Sequence, residues 1–171
     1  MVFTTLSNRK LATKLPDLEP VLIGESLTSF YKSVREAACE QFDVVKVESN
    51  INHIKQVLES FDKKFNKCDF DLSSFKHTIH VKILGADVMM ISQVNDVNYW
   101  TLIIHAIGTF CKLFHTDLEG WEIYVRVDNE PRKGFSVGGV ANFYNKCMIT
   151  TKREEIIKTL FHELIHCKQL N

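Results

Sequence analysis

Two histidines, His162 and His166, stand four residues apart near the carboxyl end of this 171-residue chain, with Glu163 between them in the run His-Glu-Leu-Ile-His. On an α-helix, residues four apart lie one turn above each other, with Cβ atoms about 5–6 Å apart. Two imidazoles so placed converge on one Zn²⁺, each at about 2.0–2.1 Å. Glu163 lies one residue further round the helix, so its carboxylate reaches a water beside the metal rather than the metal itself. The metal lowers that water's pKa, and the carboxylate takes its proton as general base while the water attacks a carbonyl. The expected roles are therefore His162 and His166 as metal ligands, Glu163 as the catalytic group, and zinc as the cofactor.

This chemistry needs a helix beneath the motif, and the flanking residues predict one over 151–170. Thr151 and Glu154 have the spacing of a capping box, and Glu154 with Glu155 suits the positive helix end. Ile156, Ile157, Leu160, Phe161, Leu164 and Ile165 form a broad apolar stripe, while Glu155, Thr159, His162, His166 and Gln169 run along the other side. A solvated amphipathic helix with two coincidental histidines is the bland alternative. With only seven His in the chain, and both of these on the polar side, coincidence is the weaker explanation.

The preceding elements supply the body that holds this helix. Residues 1–24, with Pro16 and Pro20 and no clear period, are expected to form an extended arm. Residues 25–171 are expected to form one α+β domain. Within it, Leu27, Phe30, Tyr31, Val34, Ala37, Ala38, Phe42 and Val45 recur at helical steps. A second helix, capped by Ser49 or Asn50, carries Ile51, Ile54, Leu58, Phe61 and Phe65 on one face. The two predict a helical hairpin over 25–66. From 76 onward a small, mostly antiparallel sheet is expected. Its strands are placed at 76–84, 88–94, 121–127, 135–144 and 147–150, with a helix over 98–115. Gly138-Gly139 inside a strand signals a bulge or a close backbone approach.

Composition bounds the partners. Lys+Arg 21 against Asp+Glu 21 leaves no net charge, which argues against a dedicated nucleic-acid or anionic-membrane binder. No run nears the ~20 apolar residues of a membrane span, and the N-terminus lacks a secretory pattern. Five scattered cysteines, none in a C-x-x-C pair, suit free thiols in a reducing compartment. The expected location is the cytoplasm of the producing cell, or a virion.

From Asn98 onward the order of helix, strand, strand pair and His-Glu helix resembles the catalytic half of the zincin metallopeptidases. The specific part of that resemblance is Thr159 to Gln169, where the run T-L-F-H-E-L-I-H is similar to compact bacterial and phage members. It implies a minimal zincin-like fold over 76–171 and an edge strand, Val137 to Tyr144 or Cys147 to Thr150, that aligns a peptide or protein substrate. It also implies a third metal ligand downstream of the motif. Here a close spacing falls on Leu170, and the longer one falls past Asn171. An upstream residue or a partner chain is then expected to complete the site, and a partner could also contact the N-terminal arm. The upstream candidates are Cys147, His115, Asp117 and Glu119. Peptide deformylases, which join an upstream cysteine to such a pair, are the reason for Cys147, although a buried small hydrophobe is its ordinary role. Tyr124 and Tyr144 are candidates for oxyanion stabilisation. Two functions follow as expectations: a zinc-dependent peptidase, or a non-catalytic structural or assembly protein, such as a virion component, with a degenerate metal site.

Overall fold

A computed structural model describes residues 42–67, 71–95, 97–128, 138–142, 144–151 and 156–170. The elements in chain order are β1 (Val44–Val47), α1 (Ile51–Phe61) running into a π-turn (Asp62–Asn66), β2 (His77–Ile83), β3 (Ala86–Ser92) and α2 (Val97–Leu113). They continue with β4 (Glu122–Val127), β5 (Gly139–Asn142), β6 (Cys147–Thr151) and α3 (Ile156–Leu170). The sheet has six strands in the order β1-β2-β3-β4-β6-β5. β3, β4 and β6 run parallel at its middle, and antiparallel pairs flank them.

Alternation along the strands separates two cores. One face carries Val81, Ile83, Val88, Met90, Ile123, Val125 and Met148, buried with residues of α2 and α3. The other carries Met89, Ile91, Tyr124 and Ile149 beneath Ile54, Leu58 and Phe61 of α1. The sheet is thus the central layer, with helices on both sides. Asn50 caps α1 as its residue type predicts, its Oδ1 accepting from the His53 backbone N–H at 3.1 Å.

Two expectations are corrected. Among the described residues the expected N-terminal helical hairpin is not formed: Val44 to Val47, read as the end of its first helix, is a strand paired antiparallel with β2. Three valines in four residues lose χ1 freedom in a helix and fit a pleated ladder, which outweighs the helical spacing of Phe42 and Val45. The remainder of that first helix and the 1–24 arm lie outside the described residues. Nor is the sheet small: it has six strands and is mixed, with three antiparallel pairs and two parallel ones at its middle. Parallel pairing of β3 with β4 needs a crossover, and α2 supplies it, completing a β-α-β unit. Among the described residues no helix is long and apolar enough to cross a membrane.

Candidate metal centre

α3 docks through the stripe read from the sequence: Ile156, Ile157, Leu160, Phe161, Leu164 and Ile165 are all buried. It packs on β5 and β6. The docking leaves His162 and His166 exposed on the outer side. Their rings lie 4.6 Å apart between centroids at 79°, with Nε2 to Nε2 at 3.0 Å, a hydrogen bond shared between the two imidazoles. Partial burial, followed by the neighbouring His166 and Lys158, pushes the His162 pKa below the usual histidine value. That favours the neutral ring a metal requires.

Glu163 points the other way, inward, and is only 6% exposed. Burial raises its carboxyl to about 7. The three side chains bring ligand atoms within 4.8 Å of one another, and among the described residues they form the one group able to hold a metal. What covers Glu163 is β5. A Cβ built on Gly139 would lie 2.9 Å from both Cγ and Oε2 of Glu163 and 2.6 Å from the Ile149 carbonyl oxygen. Gly139 is therefore the close backbone approach that the glycine pair signalled. Gly139→Ala is expected to destabilise the protein by about 1–3 kcal/mol, because a backbone oxygen cannot yield as a flexible side chain can. The same change should displace Glu163. Urea denaturation of the variant checks the first effect, and an unchanged midpoint would contradict the close contact.

The start of α3 differs from its prediction. Thr151 ends β6 instead of opening the helix, and both its backbone N–H (2.7 Å) and its hydroxyl (3.1 Å) donate to the Gly138 carbonyl. A strand hydrogen bond thus occupies the hydroxyl assigned to the capping box, and Glu154 lies outside the described residues.

The upstream ligand candidates are not brought to the histidines. Cys147 alternates onto the sheet face covered by α1, packing against the Tyr124 and Ile149 cluster, opposite to α3. Burial, then the Glu122 charge, pushes its thiol up to about 11, so it is no thiolate at neutral pH. His115 follows the end of α2, exposed, with φ 51°. Asp117 accepts from the Glu119 backbone N–H at 2.8 Å, and the Glu119 side chain lies against Gly85 at the β2–β3 turn. Tyr124 also sits on the α1 face, its hydroxyl donating to Glu122 (2.9 Å) and accepting from His53 (3.1 Å). Tyr144, in the β5–β6 turn, is 97% exposed.

Among known proteins, the chain is similar to an uncharacterised protein of Acanthamoeba polyphaga mimivirus, at 24% identity over 200 residues. The match covers 95% of this chain and 52% of that protein, so the chain spans about half the length of the curated relative. No model of a known family matches, and no solved structure does.

Proposed function

We propose that the chain is a zinc-dependent peptidase of zincin type. The observation that carries this reading is the pair of exposed imidazoles whose Nε2 atoms meet at 3.0 Å beside a buried carboxyl. Two nitrogens bound to one tetrahedral zinc stand about 3.3 Å apart, from bonds of about 2.05 Å. The observed pair needs to open by only a few tenths of an ångström, with the proton between the rings released. His162 and His166 would hold the ion. When bound, zinc supplies a polarised carbonyl and a water acidic enough to attack it. Glu163 would receive the proton of the attacking water and pass it to the departing amine, and a carboxyl near neutrality is matched to both transfers.

β5 supports the substrate assignment. Gly138 and Thr151 are a hydrogen-bonded pair, and such pairs alternate along an antiparallel ladder. Gly139 and Ala141 consequently turn their N–H and C=O groups away from β6, toward the outer side of β5, the last strand of the sheet among the described residues. An extended peptide adding there would run directly beside Glu163.

One observation favours a non-catalytic role for the same helix, such as a structural part of a virion. Among the described residues the two histidines are joined only by Glu163, the residue needed for proton transfer, and the relative is a viral protein. Metal content separates the two readings. The full chain, purified with zinc and mildly dialysed, is expected to retain one molar equivalent, and His162→Ala or His166→Ala to lose it. Wild-type protein left without zinc would end the peptidase reading.

A further inference from the structure

Across the sheet face beneath α2 and α3, one transverse row runs Ile79, Met90, Val125, Thr150, Gly139, each the register partner of the next. Every member but one is apolar or glycine. Thr150 is fully buried, and its hydroxyl has no hydrogen-bond partner among the described residues. Burying an unpaired hydroxyl is costly, and valine would fill the same volume without that cost. Thr150 is also the direct neighbour of Gly139, at a non-hydrogen-bonded position of the β5–β6 ladder, where facing side chains come closest. The space a Gly139 side chain would take is filled by Glu163, whose Oε2 lies 2.9 Å from that Cβ position. The orphan hydroxyl and the buried carboxyl thus share one corner of the core.

From this juxtaposition we infer that Thr150 is a positioning residue, donating its hydroxyl to the Glu163 carboxylate and holding it in the orientation from which it meets the attacking water. The inference rests on the zinc-peptidase reading for its catalytic consequence, but the contact itself does not. It also accounts for a polar residue in an otherwise apolar row, and for a glycine opposite, since any larger residue would separate the two groups.

Two substitutions divide the possibilities. Thr150→Val keeps the shape and removes the donor, while Thr150→Ser keeps the donor and removes a methyl group. The full chain loaded with zinc would be assayed for kcat and KM on a peptide it cleaves, and for unfolding by urea. The ¹³C resonance of the Glu163 side-chain carboxyl, assigned by its loss in Glu163→Gln, would be followed in parallel. Positioning predicts that Thr150→Val lowers kcat about tenfold with KM unchanged and moves the resonance. Thr150→Ser should keep both near wild type although it is the less stable variant. A purely structural threonine gives the reverse order, with valine fully active and serine impaired, and that result overturns the inference. If the zinc-loaded wild type cleaves no peptide, the peptidase reading falls and the resonance decides the contact alone. A shift in the valine variant, restored by serine, upholds it; an unmoved resonance refutes it.

Discussion

Glu163→Gln is expected to abolish peptide hydrolysis while leaving zinc bound, and to make the zinc-free protein more stable above neutral pH. The first effect follows from geometry. His162 and His166 face outward and Glu163 inward, so the substitution leaves both imidazoles in place and removes the group proposed to carry protons. Loss of a general base costs typically 10²–10⁴-fold in rate. The second effect follows from burial. The Glu163 carboxyl is raised from 4.5 to about 7 by desolvation, so the folded chain holds that proton more tightly than the unfolded chain does. Stability from this group is complete below the unfolded value and is lost as pH climbs from about 4.5 through about 7. By pH 8 the buried carboxylate costs on the order of 3 kcal/mol, at 1.36 kcal/mol per pKa unit. Glutamine has the same shape and does not titrate, so its variant should escape this loss. Urea midpoints of the two zinc-free proteins at pH 5 and pH 8 test the second effect. A wild type whose stability does not fall relative to the variant would show that Glu163 is not buried as described. Cleavage by the zinc-loaded variant would remove Glu163 from the chemistry.

The sequence disclosed these roles unevenly, for physical reasons. Helix α3 was readable because its signal is local: stripe, motif and facing all lie within one run, and the buried and exposed sides fell as the period required. Asn50 was readable for the same reason, since a cap involves residues three apart. The β1 segment was misread because helical spacing and valine content conflicted there, and pairing with β2 decided the outcome. Strand order was hidden altogether. Nothing in the order of the segments says that β6 inserts between β4 and β5, because that depends on which apolar faces meet in three dimensions. At the site, Gly139 gave a warning through its neighbour Gly138, but its contact with Glu163 joins residues from separate elements. Cys147 was a reasonable ligand candidate until alternation placed it on the far face of the sheet. Thr150 gave no signal, because threonine in a strand is ordinary.

Arg126→Ala is expected to cost about 3–5 kcal/mol, the largest stability loss from any single substitution considered. Arg126 is completely buried on the α1 face of the sheet. Its Nη1 donates to Asp62 Oδ2 at 2.6 Å. Nε donates to Asp128 Oδ1 at 2.6 Å and Nη2 to Asp128 Oδ2 at 3.3 Å, a two-pronged contact. Asn66 donates to the other oxygen of Asp62 at 3.1 Å. One guanidinium therefore serves two carboxylates, and removing it takes its positive charge from both in a place water reaches poorly. Lysine would not rescue the variant, because a single ammonium cannot reproduce the planar fork. The loss should also reach the candidate metal centre. Arg126 is the register partner of Thr151, whose hydroxyl and N–H hold the Gly138 carbonyl beside Gly139. A triple change of Arg126→Met with Asp62→Leu and Asp128→Leu removes every charge together and should recover much of the stability, since a buried ion pair barely repays its own desolvation. Urea denaturation of the single, lysine and triple variants gives the ordering. If Arg126→Ala unfolds at the wild-type midpoint, the two carboxylates are reached by water and the triad is not the buried tie between α1 and the end of β4 that its distances describe.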